Sequence, residues 1–180
     1  MRENRESYWE DCWKLENPEK LFSYLDGYYQ FKGSIIDVFK EHHIKTVCDA
    51  ACGFGAYSLA FASNGFHVKS FDISPTAAEI TRRGLEKYGI AADVKAVSIL
   101  STGYEDEAFD GVIANSVLDH MTFSDGQKAL SELYRITRMG GLILVSFDTP
   151  EEGDLEMAHE VLADGSLLYA ANTPRAGMIF

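Results

Sequence analysis

The run Asp49-Ala50-Ala51-Cys52-Gly53-Phe54-Gly55 places a carboxylate four residues before the first of two glycines, and a second carboxylate, Asp72, follows 17 residues after Gly55. Glycine at positions 53 and 55 lets the backbone turn sharply and approach a ligand without a Cβ in the way. A helix opening directly behind such a loop presents free N–H groups. An acid closing the next β-prone run can accept hydrogen bonds from both hydroxyls of a ribose. Together these features describe a site for a nucleoside-containing cofactor.

Two such cofactors share this geometry, a nicotinamide dinucleotide and S-adenosylmethionine, and they differ in charge. A dinucleotide sets a pyrophosphate on the helix N-terminus, normally behind G-x-G-x-x-G and without a neighbouring carboxylate. Here the third glycine position is Ser58, and Asp49 precedes Gly53. A carboxylate repels a pyrophosphate and attracts an ammonium or a sulfonium, so the sign of the charge favours S-adenosylmethionine.

Other reactive side chains are less ordered in the sequence. His42, His43, His67 and His159 are scattered and predict no metal site. Asp119-His120 admits a general base or an acceptor-site ligand, set against a loop histidine that only packs or faces solvent; no catalytic residue is assigned. Cys12, Cys48 and Cys52 are odd in number and fit neither a disulfide framework nor paired zinc knuckles, so they read as reduced thiols. Tyr8, Trp9, Trp13, Tyr24, Tyr28 and Tyr29 are candidates for a lid, or for plain helix packing.

The elements that must hold these groups alternate. Asn17 can cap and Pro18 start a helical region reaching His43, with Ile35, Val38, Phe39 and His42 as its apolar stripe. A strand over 44–49 leads into the glycine loop, a helix over 56–64 stops at Gly65, and a second strand runs from Phe66 to Asp72. Ser74 and Pro75 open a helix that ends near Tyr88-Gly89. Strands follow at 94–99 and 109–115. Ser124 with Gln127 forms a capping box for a helix carrying Leu130, Leu133, Tyr134 and Thr137 on one face, and after Gly140-Gly141 an apolar strand covers 142–147. This order predicts an α/β, doubly wound, Rossmann-like and mostly parallel sheet with helices on both faces. One domain over 1–180 is expected, with a helical cap (1–43), a cofactor-binding core (44–148) and a C-terminal arm (149–180).

The formal net charge of −12 opposes binding to phosphate backbones and anionic membranes. Arg82-Arg83 and Arg135 with Arg138 read as solvated helix faces. No apolar run approaches the roughly 18–20 residues that cross a bilayer, and the N-terminal residues lack a signal-peptide core. We therefore expect a cytoplasmic protein with no nucleic-acid or membrane partner.

Over residues 44–148 the sequence resembles the class I S-adenosylmethionine-dependent methyltransferases of the small-molecule type. Val47 to Gly55 is similar to their first motif, with Ala51 where glycine is commoner, and Phe71-Asp72-Ile73-Ser74 to the second. Phe109 to Asn115, followed by Val117-Leu118-Asp119-His120-Met121, resembles the fourth-strand motif, and Arg135 to Leu144 the closing helix and strand. The resemblance implies a cofactor site formed by Asp49, Ala50, Gly53, Gly55, Asp72, Ile73, Ser98, Ile99 and Asn115, with Ile73 lying against adenine. Many members bond the adenine amino group with an aspartate after the third strand; Ser98 stands there instead. Asp110 is expected to be structural, and Asp93 to lie at the wrong end of its strand.

The resemblance implies methyl transfer to a small-molecule acceptor by in-line displacement. Two other classes compete: a nicotinamide-dependent oxidoreductase and a non-catalytic nucleoside-cofactor-binding module. Such methyltransferases also finish their sheet with a hairpin after the fifth strand. Here 149–163 reads as helix or loop, leaving only 166–170 and 177–180 with strand character. The usual final hairpin is expected to be missing, through truncation or because those two segments pair with each other. The free edge of the fifth strand is then open to a homodimer.

Overall fold

Side-chain caps set the starts of three helices. In the computed structural model, which describes residues 5–29, 31, 33–149 and 153–180, helix α1 spans Arg5–Leu15 and α2 Pro18–Tyr29. Asn17 Oδ1 accepts from the Glu19 and Lys20 amides at 3.0 and 3.4 Å, satisfying two of the free N–H groups at the start of α2. Ser74 does the same for α5 (Pro75–Lys87): its Oγ accepts from Ala77 N at 3.0 Å, with Pro75 in the first turn. The remaining helices are α3 (Ser34–Glu41), α4 (Ala56–Ser63) and α6 (Phe123–Ile136).

Five strands form one parallel sheet: β1 (Thr46–Ala50), β2 (His67–Asp72), β3 (Val94–Ala96), β4 (Phe109–Asn115) and β5 (Thr137–Ser146), in the order β3-β2-β1-β4-β5. The chain reverses its direction of winding between β1 and β4. Crevices for ligands open there, outside the carboxyl ends of the strands.

The sheet is covered on both faces. Cys48, Ala50, Phe71, Val112 and Ala114 pack beneath Ala129, Leu133 and Ile136 of α6. Val47 and Ile113, on the opposite face, pack with Phe61 and Phe66 and with Ile36 and Phe39 of α3. Leu21, Phe22 and Leu25 of α2 reach Leu59 of α4 and Leu85 of α5. Thus α3 is part of the layer on the sheet, and α2 lies outside α4 and α5.

Several sequence expectations need correcting. The buried side of α3 is Ile36 and Phe39; Val38 is 43% exposed and His42 is exposed, because two apolar stripes overlap on this helix and the sheet selects the other one. For the same reason α6 buries Ala129, Leu133 and Ile136, while Leu130 and Tyr134 face outward. Its cap is Thr122, whose Oγ1 accepts from Asp125 N at 3.2 Å, and not Ser124. The third strand ends at Ala96, so Ser98 and Ile99 lie in the turn beyond it. The fifth strand already begins at Thr137.

Beyond β5 the chain makes a separate antiparallel pair, β6 (His159–Val161) with β7 (Leu167–Tyr169). The segment 177–180 joins β7 on its other side, with Leu167 and Phe180 exchanging both backbone bonds at 2.7 and 2.9 Å. The expected pairing of 166–170 with 177–180 is therefore present, whereas β6 falls in a stretch read from sequence as helix or loop. These strands add nothing to the main sheet, and β5 is its edge. Among the described residues no helix is long and apolar enough to cross a membrane.

Candidate functional site

At the carboxyl ends of the strands, one cavity is walled by Gly53, Asp72, Ile73, Ser98 and Ile99 from the sheet side. Trp9 and Trp13 of α1 cover it from above, and Ser116, Val117, His120 and Met121 close its far end.

Asp72 organises the near end. Its Oδ2 accepts from Gly53 N at 3.0 Å and its Oδ1 from Ser74 N at 2.9 Å, so one carboxylate pins the glycine loop and the start of α5. Burial pushes this carboxyl up from its ordinary value, opposed by the N–H donors and reinforced by the nearby charge of Glu10. Gly53 has φ +56°, and a Cβ built on it would sit 3.0 Å from the Trp13 ring. Ala51, in the same loop, holds φ +58° despite its side chain, which explains why glycine is commoner there.

Not every predicted site residue reaches the cavity. Asp49 is buried behind the loop, where its Oδ2 accepts from Ser58 Oγ at 2.5 Å. Burial, together with the charge of Asp72, pushes its carboxyl up to about 6 against the pull of Ser58. Asp49 is therefore absent from the cavity lining. Ala50 is sealed in the core. Gly55 caps α4 at φ +85° with its Cβ position 2.9 Å from Thr81, so it serves helix packing. Asn115 turns to Ser146 Oγ at 2.8 Å, outside the cavity lining.

Asp110 is structural, as expected: its Oδ2 accepts from Lys45 N and Thr46 N at 2.8 and 3.0 Å, and Arg138 pairs with it at 3.0 Å. Asp93 is salt-bridged to Lys69 away from the cavity. Arg82 and Arg83 pair with Glu79 and Glu19, and Arg135 with Glu132 and Asp106, so both arginine groups are matched by acids. Cys12, Cys48 and Cys52 are free thiols.

Glu10 had no sequence signal, and the Asp119-His120 pair was legible only without its third member, Asp148. Glu10, one residue beyond Trp9, reaches over to α5: it accepts from Ser74 Oγ at 2.6 Å, Thr76 Oγ1 at 2.8 Å and Thr76 N at 3.1 Å. Those bonds hold its carboxyl down to about 2, led by Ser74. At the far end, Asp119, His120 and Asp148 meet with their ligating atoms all within 4.8 Å. The His120 ring lies 5.3 Å from that of Trp9, and its Nδ1 is 3.3 Å from the Ile179 carbonyl oxygen.

The chain belongs to the methyltransferase domain family, which matches residues 48–145. The fold is that of the class I S-adenosylmethionine-dependent methyltransferases. A demethylmenaquinone methyltransferase of Thermus thermophilus is 30% identical over 129 residues, covering 70% of this chain and 58% of that protein. A malonyl-[acyl-carrier protein] O-methyltransferase of Serratia marcescens is 32% identical over 117 residues, 64% of this chain and 42% of that one. The chain thus spans about half the length of these relatives. In structure it resembles the PH0226 protein of Pyrococcus horikoshii OT3, with TM-score 0.58 and 23% identity over 62% of this chain and 50% of that chain.

Proposed function

We propose that this protein transfers the methyl group of S-adenosylmethionine to a small-molecule acceptor bound beside His120. One observation carries the reading: Asp72 ends β2 with its carboxylate on the cavity wall, bonded to Gly53 N, between the glycine loop and the apolar side chains Ile73 and Ile99. In this reading Asp72 takes the ribose hydroxyls, Ile73 and Ile99 flank the adenine, and Ser98 stands near its amino group. The glycine loop faces the methionine portion, with Asp49 supplying negative charge from behind. Ala50, Gly55 and Asn115 support these groups.

Displacement at a sulfonium methyl needs alignment and exclusion of water more than it needs a strong acid or base. Trp9 and Trp13 supply an apolar roof, and Val117 and Met121 an apolar end wall. The acceptor enters between them, opposite the loop. The free thiols and the net negative charge are consistent with a cytoplasmic enzyme that acts neither on nucleic acid nor at a membrane.

Calorimetric titration with S-adenosylhomocysteine and, separately, with NAD tests the reading. Saturable binding of the former alone supports it. Binding of NAD alone would transfer the site to the nicotinamide class. Methyl transfer from labelled S-adenosylmethionine to a panel of phenols, carboxylates and thiols then separates an enzyme from a binding module.

A further inference from the structure

The chemistry of the far wall is not used by cofactor binding. Asp119 has its side chain only 5% exposed, yet its Oδ1 is sealed from solvent without a hydrogen-bond partner. Its Oδ2 accepts from Asp148 N at 3.2 Å, and Asp148 Oδ1 accepts from Ser116 Oγ at 2.9 Å. A buried carboxylate oxygen left bare is costly, and a second carboxylate beside it adds repulsion.

His120 sharpens the point. A carbonyl oxygen only accepts, so the contact with Ile179 O puts the hydrogen of His120 on Nδ1. In the neutral ring Nε2 is then a lone pair, and it faces Asp119 Oδ2 at 3.7 Å. A lone pair and a carboxylate oxygen turned toward each other need positive charge between them. Among the described residues the nearby side chains supply none: Ser116, Val117 and Met121 are neutral, and Asp125, farther along the wall, is paired with Lys128.

We propose that Asp119, His120 and Asp148 bind a transition-metal dication of the Mn²⁺ or Zn²⁺ class at the acceptor end of the cavity. One imidazole nitrogen with two carboxylate oxygens suits those ions better than Mg²⁺ or Ca²⁺, which prefer all-oxygen sets. Ligands held at about 2.0–2.2 Å from a metal lie at most about 4.4 Å apart, so the present spacing closes by side-chain rotation. Of the three ligands His120 lies on the cavity wall, beside Ser116, which sets the cation next to the acceptor end. Resting on the proposed methyl transfer, this narrows the acceptor to one offering an oxygen, whose proton the cation would make easier to lose.

The test is titration of the metal-stripped full chain with Mn²⁺, followed by calorimetry and by the loss of free-Mn²⁺ electron paramagnetic resonance signal. One saturable site is expected, with Zn²⁺ displacing Mn²⁺ and Mg²⁺ competing at least tenfold less well. Asp119→Asn and His120→Gln should each weaken binding at least tenfold while circular dichroism is unchanged. Asp148→Asn, at an exposed ligand, gives the same loss should either buried variant fail to fold. No saturable uptake, or uptake unaltered in the folded variants, overturns the site. S-adenosylhomocysteine is titrated in parallel: its failure to bind beside normal Mn²⁺ uptake sinks the methyl-transfer reading and not the cation site, and the reverse pattern does the opposite.

Discussion

Glu10 of α1 receives the Ser74 hydroxyl at 2.6 Å, joining the helix that roofs the cavity to the helix that follows Asp72. The two groups are 64 residues apart, and Ser74 is at the same time the N-cap of α5. A negative charge at a helix N-terminus is stabilised by the free amides there, which is why Thr76 N also turns to Glu10. The roof is thus latched by one carboxylate.

The latch has a direct optical readout, since the only two tryptophans, Trp9 and Trp13, both lie on α1. Glu10→Gln should loosen α1, shifting tryptophan emission to longer wavelength and weakening S-adenosylhomocysteine binding several-fold, with far-UV circular dichroism nearly unchanged. Because the Glu10 carboxyl is held down to about 2, its stabilising effect is complete above the ordinary glutamate range and is lost as pH falls from about 4.5 toward 2. The emission of the wild type should shift over that window, and that of the variant should not. Emission identical in the two proteins at neutral pH would show that the latch holds nothing.

Asp72→Ala is expected to lower S-adenosylhomocysteine affinity by at least tenfold, since two hydrogen bonds to a charged acceptor are worth about 1.5–3 kcal/mol each. The structure adds a cost to the fold, because the Gly53 and Ser74 amides lose their acceptor. Chemical denaturation should show a loss of about 1–3 kcal/mol. Unchanged binding in a folded variant would remove Asp72 from the cofactor site.

Gly55→Ala separates packing from ligand approach. The new Cβ meets Thr81 at 2.9 Å, and the backbone is left-handed at φ +85°. A destabilisation of about 1–3 kcal/mol is expected, with affinity changed less than threefold. Gly53→Val should do the reverse, abolishing binding before folding fails, since its Cβ points at Trp13 over the cavity. Equal loss of affinity in both would mean that both glycines face the ligand.

Asp49 carries a pH dependence of the opposite sign to Glu10. Its carboxyl rises from 3.8 to about 6, so between those values the folded protein holds a proton that the unfolded chain has lost. Stability therefore falls as pH rises through that window, by about 3 kcal/mol at most, and stays lower above it. Asp49→Asn should flatten much of that decline, with the raised carboxyl of Asp72 leaving a remainder. The same substitution should weaken S-adenosylmethionine more than S-adenosylhomocysteine, because only the former carries the sulfonium. Paired denaturation and calorimetry at pH 4.5 and 7.5 check both halves.

Legibility in the sequence followed the range of the interactions. The bonds between Asp72 and Ser74 N and between Ser74 and Ala77 N span only two or three residues, and the start of α5 and the end of β2 could be read directly. β4 was bounded correctly, its buried Val112-Ile113-Ala114 run lying between Asp110 and Asn115. The faces of α3 and α6 were not legible: each helix offers two overlapping stripes, and only the sheet decides between Val38 and Ile36 or between Leu130 and Ala129. Glu10 gave no signal and Asp119-His120 only an ambiguous one without Asp148, since their partners are brought to them by tertiary structure. Asp49 was legible as an acid beside the loop, but its direction, toward Ser58 and not the cavity, was set by packing.

The pairing of β1 with β4 joins residues such as Val47 and Gly111, between which β2, β3 and two helices must first be made. On a ribosome adding roughly 5–20 residues per second, the interval from the end of β1 to the end of β4 lasts roughly 3–13 seconds. During it β1 and β2 can associate, but the edge of β1 that later pairs with β4 has no neighbour and presents an open row of backbone groups, while Val47 on one face and Cys48 and Ala50 on the other await their covering. Newly made chains are therefore most exposed to miscoupling with one another at the strand that the finished molecule buries most completely, and chaperone capture should peak before residue 115 emerges.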